Sequence, residues 1–128
     1  MGQQQLLLIV LGVIIVGIAV VVGINVFTAS SSQANRDGVI ADMTNLASLA
    51  MQHYRKPTAL AGGSNTFTGW TIPAALDTTG NGVYTVTVAA QTVTLVGTGN
   101  EKGNNGTSAV KATMVVGANS ITSTTINN

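Results

Sequence analysis

The chain has 128 residues, of which 7% are charged, and its formal net charge is +1. This weak charge argues against a surface that grips nucleic acid, and the absence of cysteine excludes disulfides and thiolate chemistry. All five basic and all four acidic residues lie at or after Arg36. The composition therefore divides the chain into an apolar N-terminal part and a part that meets water.

Residues 6–26 read LLLIVLGVIIVGIAVVVGINV, in which Asn25 is the only polar side chain. A helix of this length is about 30 Å long, the thickness of the hydrocarbon core of a bilayer. We predict a helix that either lipid or other helices must cover, because its apolar groups point in every direction. A signal peptide fits less well, since no basic residue precedes the run and the run is longer than about 15 residues. A single-pass membrane anchor stays an open alternative.

The following residues, 29–56, continue the helix with a different pattern. Apolar residues recur every three or four positions and predict an amphipathic helix that ends at Pro57. We expect these apolar side chains, together with Trp70, to form the core of a small domain: Ile40, Met43, Leu46, Ala47, Ala50 and Tyr54. Polar residues fall mostly on the opposite, solvent-facing side: Arg36, Asp37, Asp42, Asn45, Gln52 and Arg55.

The remaining sequence predicts loops and short strands. Glycine and proline mark a loop over 57–82, which closes in a turn at 77–82. Alternating residues predict strands at 83–89 and 92–96, then a loop at 97–106, and two further strands at 109–116 and 121–126. The predicted fold class is α+β, with four antiparallel strands against the amphipathic helix. The predicted segments are 1–28 (apolar helix half), 29–56 (amphipathic half), 57–82 (connecting loop) and 83–128 (sheet).

In these features the chain resembles the type IV pilins and their relatives. The run QLLLIV at residues 5–10 lies over that family's glutamate followed by Leu-Leu-Ile-Val-Val. Three features depart from the family: Gln5 replaces the glutamate, no proline lies near Val22, and the C-terminal disulfide loop is missing. In the family, the glutamate is thought to pair with the N-terminal amine of a neighbouring subunit. Gln5 offers the same hydrogen bond without the charge.

The resemblance implies an extracellular filament that is a homopolymer of this chain. The subunit would be anchored in the cytoplasmic membrane before assembly, and a peptidase, a platform protein and a motor ATPase would assemble it. We expect assembly contacts near the N-terminus and at the glycines of the apolar run, which are spaced too widely for a GxxxG motif. The expected contact residues are Met1, Gln3, Gln4, Gln5, Leu6, Leu7, Gly12, Gly17 and Gly23.

The N-terminal register has two interpretations. If Met1 is the mature first residue, a leader preceded it and the alignment at Gln5 holds. If Met1 is the start codon, Met-Gly is a minimal leader that is cut before Gln3, and Leu7 takes the fifth position.

Residue types that carry catalysis or bind metals are sparse. His53 has no second histidine, cysteine or glutamate near it in sequence, and Asp37 and Asp42 are five apart, so they do not share a helix face. The turn at 77–82 has too few carboxylates for calcium, and Gly62-Gly63-Ser64 lacks the lysine of a phosphate loop. We therefore expect no enzyme, metal or cofactor. Asn105-Gly106-Thr107 matches the N-glycosylation pattern.

Three alternatives to a bacterial type IV pilin stay open at this stage. One is a pseudopilin of a type II secretion system, which forms a short periplasmic filament. Another is a membrane-anchored protein whose head binds a ligand or partner. The third is an archaeal pilin, against which the amphipathic helix and its connecting loop argue, because those heads are usually more purely β.

Overall fold

The computed structural model describes residues 2–128. Helix α1 comprises Gly2–Arg55, 54 residues, and a 3-10 turn follows at Thr58–Leu60. The strands are β1 (Gly82–Val88), β2 (Val93–Lys102), β3 (Ala109–Val116) and β4 (Ile121–Ile126). The four strands form one antiparallel sheet in the order β1-β2-β3-β4. The predicted α+β fold class is confirmed.

The chain divides into two compact units, Met1–Ser31 and Ser32–Asn128. In the first unit, every residue from 2 to 30 is exposed. Its large apolar side chains are between 52% and 74% exposed. The helix is long and apolar enough to cross a membrane, by length and composition. Within the described residues, this unit is therefore an apolar helix whose side chains stay exposed.

The second unit, which we call the head, has its core between residues 32–55 of the helix and one face of the sheet. The helix contributes Val39, Met43, Leu46, Ala47 and Ala50, all buried. The sheet contributes alternate residues, since successive side chains of a strand point to opposite faces. The buried sheet and loop residues of this core are Phe67, Trp70, Tyr84, Val93, Leu95, Ala112, Met114 and Val116. The predicted core residues Ile40 and Tyr54 are half-buried and pack against its edge.

Strand β2 is longer than the sequence predicts. The predicted strand ends at residue 96 and a loop begins at Gly97, whereas β2 continues to Lys102. A Cβ atom at Gly97 would lie 2.7 Å from Cγ1 of Val39 and 2.8 Å from Sδ of Met43. The glycine therefore lets the helix approach the strand closely, a known role of glycine inside strands. The predicted loop was wrong over 97–102 for this reason.

This close approach makes Gly97 a sensitive position. We expect Gly97→Val to lower the free energy of unfolding of the head by about 1–3 kcal/mol, because the core has no room for the added atoms. Thr98→Val is the matched control, since Thr98 is the exposed neighbour on the same strand. Thermal unfolding of the full chain in detergent, followed by circular dichroism, measures both variants. Equal stability of the two variants would contradict the close packing.

Candidate functional site

The exposed apolar surface of residues 2–30 is the first candidate site, and it carries most of the predicted assembly contacts. Gln3, Gln4, Gln5, Leu6, Leu7, Gly12, Gly17 and Gly23 are all exposed on the helix. Met1 lies outside the described residues. A Cβ atom at Gly12, Gly17 or Gly23 would meet nothing within 4 Å. Packing inside the chain therefore does not require these glycines.

Two of the glycines share a helix face with Gln5. Gly12 is seven residues after Gln5, and Gly23 is eleven residues after Gly12. At about 3.6 residues per turn these intervals are close to two and three whole turns. A glycine on a helix surface lets another helix come close to the backbone. This alignment was missed from the sequence because only the intervals between successive glycines were considered; the helical period gives it directly.

A carboxylate on the head is the centre of a hydrogen-bond cluster that the sequence did not predict. Asp42, predicted to face solvent, is half-buried, and its Oδ2 accepts three hydrogen bonds. The donors are Thr79 Oγ1 at 2.7 Å, Asn81 Nδ2 at 3.0 Å and Tyr84 Oη at 2.6 Å. Thr79 and Asn81 lie in the predicted turn at 77–82. Their hydrogen bonds to Asp42 therefore hold this turn against the helix. We call these four residues the Asp42 cluster.

The cluster shifts the pKa of both titratable members. Burial raises the pKa of Asp42, but the hydrogen bonds from Tyr84, Thr79 and Asn81 outweigh it, so the pKa is lowered from its ordinary value. Burial and the hydrogen bond to Asp42 raise the pKa of Tyr84 to about 12. The stable form at neutral pH is therefore a carboxylate that accepts a hydrogen bond from a neutral phenol.

Arg36 also departs from the prediction that it faces solvent, since it is only 7% exposed. Its guanidinium donates to Gln33 Oε1 at 2.8 Å and to Asn104 Oδ1 at 2.7 Å, while its Nε is buried without a partner. These acceptors are neutral amides. Arg36 therefore joins the helix to the loop that contains Asn104.

The C-terminal end of the helix is capped by the following loop. Backbone N–H groups of Gly63, Ser64 and Asn65 donate to the carbonyls of His53, Lys56 and Tyr54, respectively, at 2.7–2.8 Å. A Cβ atom at Gly63 would clash with the carbonyl oxygen of Thr66. Helix-terminal carbonyls that would otherwise lack partners are satisfied in this way.

His53, for which no site was predicted, and the predicted glycosylation residue Asn105 both belong to the head. His53 is half-buried, with Nε2 3.4 Å from the carbonyl oxygen of Thr68. Asn105 is exposed in a loop, where its Oδ1 accepts the N–H groups of Thr107 and Ser108 at 2.9 Å. Within residues 2–128, no group of three His, Cys, Asp or Glu side chains is placed to hold a metal ion.

Comparisons of the chain with protein-family models, with curated proteins and with solved structures give no match. The functional proposal therefore depends on the residues and geometry described above.

The first prediction from the Asp42 cluster concerns stability at neutral pH. Asp42→Ala would remove the shared acceptor of three donors, and we expect a loss of about 2 kcal/mol in the free energy of unfolding. Asp37→Ala is the control, because Asp37 is exposed and, among residues 2–128, accepts a side-chain hydrogen bond only from Gln33 on the same helix. Denaturant unfolding followed by Trp70 fluorescence measures both. Equal effects of the two substitutions would show that the cluster contributes nothing specific.

The second prediction concerns pH. Because the pKa of Asp42 is lowered in the folded state, its contribution is present above about pH 4, the unfolded value, and is lost as the pH falls through the folded pKa. Because the pKa of Tyr84 is raised, its contribution is present below about pH 10 and is lost as the pH rises towards about 12.

Unfolding free energies measured across pH test both directions. The acid limb should flatten in Asp42→Asn, and the alkaline limb should flatten in Tyr84→Phe. Wild-type slopes that persist in both variants would exclude the cluster as their source.

Proposed function

We propose that this chain is a structural subunit of an extracellular, type IV pilus-like filament, which polymerises through its apolar N-terminal helix. The observation that carries the proposal is the helix surface at residues 6–27, which is apolar on every side except at Asn25 and exposed throughout. It is joined in sequence to a head that has its own buried core. The resemblance at residues 5–10 and the α+β fold class support the same function.

The exposed apolar surface of this helix is too large for the helix to be stable in contact with water. Residues 6–27 include 17 large apolar side chains that are exposed. Burying one such side chain fully gains about 1.5–3 kcal/mol relative to water. The total is on the order of tens of kcal/mol, which exceeds the whole stability of a typical domain, about 5–15 kcal/mol. The helix must therefore be covered by lipid, by copies of itself, or by each in turn.

We propose that lipid covers the helix first and that copies of the chain cover it in the filament. Exchange of lipid for protein gains little from the hydrophobic effect, so close packing and polar contacts must select the assembled state. The face formed by Gln5, Gly12 and Gly23 supplies both. In this proposal the head lies outside the cytoplasmic membrane, at the filament surface, and the role of the chain is structural rather than catalytic.

Two other functions make different predictions. A type II secretion pseudopilin would form only short periplasmic filaments, so cells would show no long surface fibres that contain this chain. A membrane-anchored binding protein would stay monomeric in detergent and keep its N-terminus uncut. Electron microscopy of the cell surface and N-terminal sequencing of the native protein distinguish the three.

A charge in the apolar helix tests the proposal. We expect Ile14→Arg to abolish filaments, because an arginine at the centre of a membrane helix costs about 2.5–3.5 kcal/mol, roughly a 100-fold shift in partitioning. Thr85→Arg places the same charge on an exposed strand residue of the head and serves as the control. Filaments are counted by electron microscopy in cells that have a pilin assembly system. Normal filaments from Ile14→Arg would contradict a core built from this helix.

A further inference from the structure

A cavity of about 190 Å³ lies on the head, beside the C-terminal end of the helix. Its lining residues are Leu49, Gln52, His53, Lys56, Ala61, Trp70 and Pro73. Since one water occupies about 30 Å³ in the liquid, the cavity has room for about six waters or for the end of one polar side chain. None of the lining residues is acidic, whereas Lys56 is a cation and Gln52 can donate hydrogen bonds.

The wall of this cavity contains an unused donor. Trp70 is only 7% exposed, and its indole N–H has no hydrogen-bond partner among the described residues. This nitrogen is not fully enclosed, and Trp70 lines the cavity. Tryptophan N–H groups in mostly buried positions usually find an acceptor. The cavity thus offers hydrogen-bond donors, one cation and an apolar wall. Such a site suits a carboxylate on a short aliphatic side chain.

The neighbouring charges favour an anion at Lys56. Arg55 donates to Asn119 Oδ1 at 3.3 Å, so it is engaged with the sheet side of the head. The negative end of the helix dipole disfavours an anion here. This effect is weakened because the N–H groups of residues 63–65 already donate to the terminal carbonyls of the helix. Lys56 is exposed, with no side-chain hydrogen bond among the described residues.

The opposite end of the head carries an exposed carboxylate. Glu101 is exposed, and its backbone N–H donates to Asn35 Oδ1 at 3.2 Å. The next residue, Lys102, accepts a hydrogen bond from Ser32 through its carbonyl. Asn35 and Arg55 are 20 residues apart on the helix, a separation of about 30 Å. The carboxylate of Glu101 therefore cannot reach the cavity of its own chain.

The other acidic residues fit less well. Asp42 is half-buried and its Oδ2 already accepts three hydrogen bonds, and the carboxylate of Asp37 accepts one from Gln33 at 2.8 Å. Asp77 is exposed, but it follows Pro73 of the cavity wall by only four residues. A contact of Asp77 with the cavity of another copy would join nearly the same surface of both copies, which closes a dimer rather than extending a filament. Glu101 is the carboxylate that is both unengaged and at the far end of the head.

We propose that the Trp70 cavity binds the carboxylate of Glu101 from a second copy of this chain. The contact joins two different surfaces of the chain, one at each end of the head. Such a head-to-tail contact produces an open, helical assembly when the rotation between copies does not close a ring. The inference rests on the proposed filament and assigns a specific contact between its subunits.

Cysteine crosslinking tests the contact, because the natural chain has no cysteine. The pair Gln52→Cys and Asn100→Cys, placed together in the full chain, keeps Lys56, Trp70 and Glu101 intact, since Asn100 is the exposed neighbour of Glu101. Oxidation of assembled filaments should then link successive copies into a ladder of covalent multimers. The matched control is Thr44→Cys with Asn100→Cys, since Thr44 is an exposed residue of the same helix that does not line the cavity.

The outcomes separate the contact from the filament itself. A ladder from the Gln52 pair and none from the Thr44 pair supports the proposal. Filaments that form without a ladder, or with equal ladders from both pairs, overturn the contact and leave the filament function intact. A wild-type chain that forms no filaments in cells with a pilin assembly system overturns the filament function and the contact together.

A charge swap gives an independent readout. Lys56→Glu alone and Glu101→Lys alone should each lower filament yield about tenfold or more, because each puts like charges together at a desolvated contact. The double variant should restore the yield. Lys111→Glu, on an exposed position of β3, makes the same charge change elsewhere and should have little effect. Failure of the double variant to recover, with heads that melt like the wild type, contradicts the pairing.

Discussion

The exposed apolar helix is the constraint on which the rest of the structure depends. A segment whose side chains are apolar on every face has no solvent-facing side, so it cannot lie on a head in water as an ordinary amphipathic helix does. The free energy of this helix depends on what covers its apolar side chains. The described part of the chain leaves residues 2–30 exposed. The charges follow the same division, because none occurs before Arg36.

The head is under a different constraint, because one helix and one sheet must bury enough apolar area to be stable. The helix buries small residues, Ala47 and Ala50, next to Met43 and Leu46, while β2 places Gly97 opposite Val39. Small residues on both surfaces shorten the distance between helix and strand. The Asp42 cluster then fixes the turn at 77–82 to the helix with three hydrogen bonds to one oxygen. Tyr84 joins the packing to the polar contacts, because it is buried in the core and its hydroxyl donates to Asp42.

The apolar period of the sequence was enough to predict the helix, the strand order along the chain and most of the core. It failed where burial depends on distant partners. Arg36 and Asp42 are polar, and the pattern placed them in solvent. Apart from Gln33, which is three residues from Arg36, their hydrogen-bond partners lie 37 to 68 residues away along the chain. Gly97 resembled a loop residue because its role is set by Val39 and Met43 across the core. The face of Gln5, Gly12 and Gly23 was predictable from the helical period.

An apolar helix built from Leu, Ile and Val is poor at fixing its own register, because a neighbour that slides along it meets similar side chains at every turn. Polar contacts at defined positions are what select one alignment among many. Gln5 is a neutral amide, so it contributes less to such a choice than a buried ion pair would. A shift of one helical turn is about 5.4 Å, which is enough to withdraw a carboxylate from a cavity the size of a few waters. If the heads are joined through Glu101 and the Trp70 cavity, that contact fixes the register that the apolar helices leave undetermined.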